Sequence, residues 1–229
     1  MEVQAIIPAR SSSKGIKDKN IIPFKNFPLI YWSIKHGLKS KQINNTFIST
    51  DSQQYCDLAK TYGAISLGLR SKDISGDHDK DFTFLSDHLD KVKANSKFIF
   101  PNILVILRPT SPIRDVKEID EAIDYMKQNF SKLDCIRSVN KSSENPYKMW
   151  VLNKDGYMKP LIGSFEEDYV NSPRQLLPIS YYQNGLFDII NVNSLQKGTS
   201  SGTKVYPWFT SLKGIDIDTD SDIPGKYKN

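Results

Sequence analysis

Four short apolar runs along the chain have the pattern of buried β-strands. Each run is rich in β-branched residues, is apolar on both alternating faces and is bounded by turn-forming residues. Strands that are buried on both faces are typical of parallel sheets covered by helices. The predicted strands are residues 3–9, 45–50, 102–109 and 134–139.

Four longer segments carry apolar residues at the spacing of a helix with one buried face. In the last segment, Ile119, Ala122, Ile123 and Met126 share one face, and the side chain of Asp115 can cap the N-terminus. The predicted helices are residues 28–40, 52–63, 81–95 and 116–129.

The alternation of these strands and helices predicts an α/β fold with a mostly parallel sheet and helices on both faces. A chain of 229 residues with 38% hydrophobic content can bury one substantial core, so we expect a single domain over residues 1–229. Residues 140–185 break the alternation with four prolines, several aromatic residues and a possible hairpin at 153–156. We interpret residues 140–189 as an inserted arm rather than a second domain.

Charge and composition restrict the classes of binding partner and the cellular environment that we expect for this chain. The chain has 31 basic and 26 acidic residues, and its basic residues are scattered except near the N-terminus. A nucleic-acid-binding protein is expected to show a basic stripe, so an anionic small molecule is the better prediction. The most apolar segment, residues 98–107, is too short to span a bilayer, and a membrane protein is not expected. Cys56 and Cys135 are far apart and match neither a disulfide framework nor a zinc site, which favours a reducing cytoplasm.

The loop after the first predicted strand is unusually basic. In parallel sheets, ligands bind beyond the carboxyl ends of the strands, which is where this loop begins. Its serines, its single glycine and the cations Arg10, Lys14 and Lys19 can converge on phosphate oxygens. The sequence matches neither the G-x-x-x-x-G-K-[ST] loop nor G-x-G-x-x-G. Two interpretations stay open: a triphosphate cradle of another kind, or a solvated charged loop.

A second candidate is the acidic segment at residues 214–223. If it begins as a strand, Asp216 and Asp218 project from one face while Ile215 and Ile217 face the core. Mg²⁺ is usually held by one or two carboxylates together with substrate phosphates, so the two aspartates are candidate metal ligands. The alternative is an exposed polar strand face.

Several motifs, taken together and in order, resemble the acylneuraminate cytidylyltransferase family. The opening loop is similar to the family's A-R-x-x-S-K-G-x-x-x-K-N pattern, and the remaining matches cover nearly the whole chain. They are STD (49–51), LR (69–70), PTSPIR (109–114), NPYK (145–148), PRQLLP (173–178), NG (184–185) and IDIDT (215–219). Each motif alone is weak, but the ordered set is specific.

The resemblance implies a Rossmann-like three-layer sandwich that transfers CMP from CTP to the anomeric hydroxyl of a sialic-acid-like nonulosonic acid. It implies Mg²⁺ at Asp216 and Asp218, and an arm that forms a homodimer and carries sugar-binding residues into the partner's cleft. The implied catalytic residues are Arg10, Lys14, Lys19, Asp216 and Asp218. The implied nucleotide-binding residues are Ala9, Arg10, Ser13, Lys14, Gly15, Lys19, Asn20, Arg70 and Arg108, of which Asn20 and Arg70 contact the base. The implied sugar-binding residues are Lys148, Arg174, Gln175 and Asn184.

The chain also departs from the family pattern. Ser11 and Ser12 replace a common Gly-Gly pair, Arg108 replaces the glutamine before P-T-S-P, and a tyrosine common after the N-G pair is replaced near Phe187 and Asp188. An arginine cannot accept the hydrogen bonds that glutamine accepts. These departures leave open transfer to another 2-keto sugar acid or from another nucleotide. A separate alternative is a nucleotide-binding module without catalysis, against which the paired Asp216 and Asp218 count.

Overall fold

Strands and helices alternate along the first half of the chain as predicted. The computed structural model describes residues 1–11, 16–76, 80–218 and 222. The strands are β1 (Val3–Pro8), β2 (Pro23–Phe24), β3 (Phe27–Pro28), β4 (Asn45–Ser49), β5 (Ile65–Ser66), β6 (Ile103–Ile106), β7 (Cys135–Lys141), β8 (Trp150–Leu152), β9 (Met158–Pro160), β10 (Tyr181–Asn191) and β11 (Val205–Phe209). The helices are α1 (Leu29–Lys39), α2 (Gln53–Thr61), α3 (Asp81–Lys93), α4 (Val116–Gln128) and α5 (Val192–Gln196).

A seven-stranded sheet with the order β11-β7-β10-β6-β1-β4-β5 forms the centre. Strand β1 pairs in parallel with β4 and β6, and β4 pairs in parallel with β5, whereas β10 runs antiparallel to β6. The prediction of a mostly parallel sheet is therefore confirmed. The antiparallel β10 lies partly within residues 140–189, where the sequence analysis placed no sheet strand.

Helices cover both faces of the sheet, as the three-layer prediction requires. Val3, Ala5 and Ile7 of β1 pack in one fully buried cluster with residues of α1, α2 and α4. Ile6, which points to the other face, packs in a second cluster with Phe84 and other residues of α3. The cap predicted for α4 is also present, because the Asp115 carboxylate accepts a hydrogen bond from the backbone N–H of Lys117 at 2.8 Å.

One buried polar contact lies within the second face. The ring of His88 on α3 hydrogen-bonds the side chain of Gln4 at 2.9 Å, and burial lowers the pKa of His88 to about 3. His88 therefore packs in the core as a neutral side chain. Both cysteines are free and buried. No helix within the described ranges is both long enough and apolar enough to cross a membrane.

The chain divides into two compact units. The first contains Met1–Ser138 and Asn184–Asn229, and the second contains Val139–Gln183. The second unit includes the antiparallel β8–β9 hairpin, whose turn at residues 153–156 is the one that the sequence predicts. Residues 184–189, which the sequence analysis assigned to the inserted arm, lie in the first unit because β10 pairs there with β6.

The second unit exposes many large apolar side chains. Leu152 is 71% exposed and Leu176 is 76% exposed, and within the unit Trp150 packs near Phe165 with ring centroids 6.4 Å apart. Asn145 orders the start of this unit, since its side chain accepts from Tyr147 N and donates to Pro178 O. The unit therefore combines local hydrogen bonding with exposed apolar side chains.

Candidate active site

A cleft of about 290 Å³ opens at the carboxyl ends of the parallel strands. The strand register aligns the carboxyl ends of three strands. Ile6 of β1 lies opposite Phe47 of β4 on one side and Ile106 of β6 on the other. The segments that follow the three strands therefore reach the same place. The cleft is lined by Pro8, Arg10, Lys19, Asn20, Arg70, Gly76, Asp81, Phe84, Arg108, Pro109 and Thr110.

The loop after β1 is fixed at its start. Ala9 is fully buried, and its N–H donates to Ser49 O at 2.9 Å. Ser11 then binds the Asp51 carboxylate twice, through its backbone N–H at 2.8 Å and its hydroxyl at 3.0 Å. The serine that replaces a common glycine thus adds a second hydrogen bond to this anchor.

The loop is also fixed at its end. The Tyr55 hydroxyl donates to the Asp18 carboxylate at 2.9 Å, and the buried Asn20 amide donates to Arg10 O at 2.9 Å. Burial, followed by the hydrogen bond to Asp18, raises the pKa of Tyr55, which keeps the tyrosine a donor. These bonds place Arg10 and Asn20 together in the cleft. The predicted site residues Ser13, Lys14 and Gly15 lie outside the described residues.

Two cations of the sequence-predicted set reach the cleft from this loop. Arg10 Nη1 donates to Gly76 O at 2.8 Å, and the Lys19 ammonium donates to the Asp218 carboxylate. The side chain of Lys19 is 16% exposed, whereas that of Asp218 is 64% exposed. Lys19 is therefore enclosed by the protein on most sides and carries its charge at the cleft surface.

Arg70 joins the cleft from the segment after β5. Its guanidinium donates to Ser49 O and Ser49 Oγ at 2.9 to 3.2 Å and lies 5.0 Å from the ring centroid of Phe84. Its backbone N–H donates to Thr50 O at 2.7 Å. The side chain is therefore held rigidly against the end of β4, and the sequence prediction that Arg70 belongs to the site is compatible with this position.

Arg108, the departure from the family pattern, lies in the cleft wall between two carboxylates. Its Nη1 is 2.5 Å from Asp188 Oδ2, and its Nη2 is 2.5 Å from Asp81 Oδ2. Arg137 Nη1 lies 2.7 Å from the same Asp188 oxygen, and Asp188 is fully buried. Burial opposes the charge of Arg108, but the two carboxylates outweigh it and raise the pKa of the guanidinium.

Sequence reasoning missed Asp81 and Asp188 as site residues. A signal was available, because an arginine at the end of a buried strand needs a counter-charge and Asp188 stands where the family pattern changes. To pair Arg108 with Asp188, one must know that β10 runs beside β6, with Asp188 opposite Ile106. Local patterns do not contain that information.

The buried residue Arg114 stabilises the segment that carries Arg108. Arg114 is 7% exposed and donates to Leu186 O, Arg108 O and Ser33 Oγ, the last at 3.1 Å. Burial, with a contribution from the Arg108 charge, lowers the pKa of Arg114 to about 9. The guanidinium thus connects the segment after β6 to α1 and β10, and it fixes the backbone that carries Arg108 and Thr110.

The predicted strand at residues 214–223 is not present in the part of it that the structure describes. Residues 214–218 form an irregular segment, because Ile217 N–H donates to Thr110 O at 2.9 Å without a continuing ladder. The predicted facing is nevertheless correct, since Ile217 is fully buried and Asp216 and Asp218 are exposed.

The acidic pair fits Mg²⁺ by its chemistry. Both side chains offer carboxylate oxygens, which Mg²⁺ prefers, and Asp218 is already bound to the cleft cation Lys19. Within the described ranges no cluster of three or more His, Cys, Asp or Glu side chains forms a metal site. The two aspartates would therefore need water or substrate oxygens to complete the coordination of a cation.

The predicted sugar-binding residues fall in both units. In the second unit, Gln175 is exposed, Lys148 Nζ donates to Val170 O at 3.2 Å, and Arg174 donates to Ser143 O. Asn184 belongs to the first unit and is 5% exposed; its amide donates to Thr210 Oγ1 at 2.7 Å. Asn184 therefore has a structural hydrogen bond in addition to its predicted role.

Comparison with known proteins identifies the family of this chain. A family model described as cytidylyltransferase matches residues 4–158. The chain is 33% identical to the N-acylneuraminate cytidylyltransferase of Escherichia coli over 83% of this chain and 42% of that protein. It is 32% identical to the CMP-N,N'-diacetyllegionaminic acid synthase of Legionella pneumophila over 97% of this chain and 93% of that protein.

The fold also matches solved structures. The structure of a CMP:2-keto-3-deoxy-manno-octonic acid synthetase complexed with CTP aligns with a TM-score of 0.70, covering 96% of this chain and 95% of that chain at 14% identity. At that identity the match shows the shared fold alone. The chain spans about half the length of the N-acylneuraminate cytidylyltransferases that it matches. The family match and the identity over most of the chain confirm the resemblance found in the sequence, and the chain belongs to the cytidylyltransferase family.

Proposed function

We propose that this chain transfers CMP from CTP to the anomeric hydroxyl of a sialic-acid-like nonulosonic acid and releases pyrophosphate. The observation that carries the proposal is the convergence of Arg10, Lys19, Asn20 and Arg70 in one cleft at the carboxyl edge of the sheet. The names of the relatives, which are cytidylyltransferases and CMP-sugar acid synthases, support the same chemistry.

In this proposal the cleft binds CTP along its length. Arg70 and Asn20 would contact the base, and Arg10 and Lys19 would contact the phosphates, together with Lys14, Ser13 and Gly15. Arg10 and Arg70 are held by hydrogen bonds to neutral oxygens, so their charges are not cancelled by those contacts. Fixed cations of this kind stabilise charge that develops on a transferring phosphoryl group without further reorganisation.

The proposed reaction needs positioning and charge neutralisation more than covalent participation by the protein. The sugar hydroxyl oxygen forms a bond to the α-phosphorus of CTP, the bond from that phosphorus to the bridging oxygen breaks, and pyrophosphate leaves with the bonding electrons. The hydroxyl proton is released. Lys19 and Arg10 would offset the charge on the leaving group.

Mg²⁺ is the proposed cofactor. Asp216 and Asp218 would hold it, and when bound it would supply positive charge next to the phosphates. Because Asp218 accepts from Lys19, the same carboxylate would link the cation-binding residues to the phosphate-binding lysine. We also place the protein in a reducing compartment such as the cytoplasm, which two free and buried cysteines support.

The sugar acid would be bound partly by the second unit. Lys148 and Arg174 are exposed cations there, and an arginine can bind a carboxylate through two hydrogen bonds. The apolar side chains that the second unit exposes support a homodimer, because monomers seldom expose large contiguous apolar patches. In this proposal Lys148 and Arg174 serve the partner's cleft, and Gln175 and Asn184 are further sugar-binding residues.

The proposal is tested by pyrophosphate release across CTP, UTP, GTP and ATP, each combined with a panel of 2-keto sugar acids. We expect CTP to be strongly preferred, because a site with fixed donors and acceptors rejects a base that leaves them unpaired. Preference for a purine triphosphate would reject cytidylyl transfer. Nucleotide binding with no pyrophosphate release from any pair would support the non-catalytic module.

Lys19→Ala is expected to lower kcat/KM for CTP by about 100-fold or more, in the range found when one preorganised donor is removed from a charge-stabilising site. The matched control is Lys17→Ala, which removes an exposed lysine from the same loop outside the cleft. Steady-state kinetics and thermal melting of both variants check the prediction. Equal kinetic losses in the two variants, or a loss explained by a lower Tm, would contradict the assignment of Lys19.

The homodimer leads to a complementation test. Asp218→Asn would inactivate its own cleft, whereas Arg174→Ala would inactivate the cleft of its partner. In a mixed dimer one cleft combines an intact Asp218 with an intact Arg174 and the other carries both defects, so each heterodimer should regain up to about half of the wild-type activity. If subunit exchange is demonstrated and activity stays at the level of the parents, Arg174 does not serve the partner's cleft.

A further inference from the structure

One carboxylate lines the cleft among the described residues, and it belongs to Asp81, the first residue of α3. The other charged lining residues are the cations Arg10, Lys19, Arg70 and Arg108. A carboxylate at close range repels the phosphates of a nucleotide and the carboxylate of a sugar acid. Its presence in a cleft built for anions therefore calls for a physical explanation.

The neighbouring arginine neutralises this carboxylate and fixes its direction. Arg108 Nη2 lies 2.5 Å from Asp81 Oδ2, and Arg108 Nη1 is held 2.5 Å from Asp188 Oδ2 on the buried side. Asp188 is fully buried and also binds Arg137, so its side chain is fixed and does not move when a ligand enters the cleft. Arg108 is thus a rigid partner for Asp81, and the pair has no net charge.

Asp81 keeps one free hydrogen-bond-accepting atom. Its side chain is 32% exposed, and its second oxygen, Oδ1, has no hydrogen-bond partner within the described part of the chain. Phe84, one turn further along α3, lines the same cleft and packs against Arg70. The cleft wall therefore presents an oriented acceptor beside an apolar ring, in a place where a bound ligand would displace water.

We propose that Asp81 is a specificity-determining residue whose free carboxylate oxygen accepts a hydrogen bond from an uncharged hydroxyl or N–H group of a bound substrate. The inference rests on the proposed function, which supplies the two substrates. CTP carries such donors on its ribose and on the cytosine amino group, and a nonulosonic acid carries them on its ring substituents. A substrate that lacks the donor leaves a desolvated carboxylate oxygen unpaired, which costs more than the hydrogen bond gains.

The competing explanation is a purely structural ion pair that attaches α3 to the end of β6. The two explanations differ in selectivity. A structural pair affects folding and all substrates alike, whereas a specificity residue changes the ratio between a substrate and an analogue that lacks one donor.

The experiment compares Asp81→Ala with Asp87→Ala. Asp87 is the matched control because it lies on the same helix and pairs with Lys91 at 2.8 Å, but does not line the cleft. The nucleotide arm measures kcat/KM for CTP, 2′-deoxy-CTP and UTP. The sugar arm measures it for the preferred sugar acid and for deoxy or deacylated analogues of that acid.

We expect Asp81→Ala to reduce discrimination in one arm by about tenfold or more, since loss of a site's hydrogen-bond partner relaxes rejection of the analogue lacking it. The arm that responds identifies the donor as part of the nucleotide or of the sugar acid. Asp87→Ala should leave every ratio within about twofold, because this residue does not line the cleft and its loss affects all substrates alike. Unchanged ratios in both arms, whatever the loss of total activity, would overturn the inference.

Two additions keep this test independent of turnover and of folding. Titration calorimetry of CTP, 2′-deoxy-CTP, UTP and the sugar acids measures the same discrimination as ratios of Kd values, without turnover. If the wild-type protein is inactive, the proposed function is contradicted, and the Kd ratios still decide this inference. Asp81→Asn, which preserves the shape of the side chain, replaces Asp81→Ala if circular dichroism shows that the alanine variant is unfolded. Absence of binding of any of these ligands to wild-type protein would overturn both proposals.

Discussion

The parallel, in-register pairing of β4, β1 and β6 is the constraint on which the rest of the structure depends. Because Ile6 lies opposite both Phe47 and Ile106, the three strands end at one level. Three segments that are far apart in sequence then emerge side by side, and they carry Arg10, the Ser49–Thr50 anchor of Arg70, and Arg108. A shift of register in any one strand would separate these groups and destroy the cleft.

The second organising feature is how the cations of the cleft are held. Arg10 and Arg70 donate to neutral oxygens, so the protein orients both guanidinium groups without cancelling their charges by those contacts. Arg108 lies between the carboxylates of Asp81 and Asp188, and Arg137 shares Asp188. Beside the cations Arg10, Lys19 and Arg70, the cleft therefore contains a neutral donor–acceptor pair, Arg108 and Asp81. Cations can bind phosphate groups, whereas a neutral donor–acceptor pair can discriminate between uncharged hydroxyl and N–H groups of a substrate.

The sequence predicts the local elements well because their signals are local. The helices at residues 28–40, 52–63, 81–95 and 116–129 are each confirmed within two residues, since apolar periodicity and capping residues define them. Most of the cleft cations could also be named from the family motifs. Asp188 could not, because its position depends on the antiparallel pairing of β10 with β6, and Asp81 could not, because its contact with Arg108 depends on where α3 packs; no short pattern encodes either.

The strand expected around Asp216 is a second feature that local sequence patterns do not predict correctly. The alternation of isoleucine and aspartate correctly predicts the buried and exposed faces. A strand requires a continuous ladder, however, and over the described residues 214–218 the backbone bond from Ile217 to Thr110 is not continued into one. Alternation thus determines facing, while tertiary partners determine whether a strand forms.

The most direct test of the central claim is to follow the phosphorus atoms of CTP. The protein is incubated with Mg²⁺, the preferred sugar acid and CTP that is radiolabelled either at the α- or at the γ-phosphate, and the products are separated. We expect the α-label to appear in a CMP-sugar and the γ-label in pyrophosphate, in equal amounts. Recovery of the γ-label on the sugar, or of the α-label only in free CMP, would contradict cytidylyl transfer by this cleft.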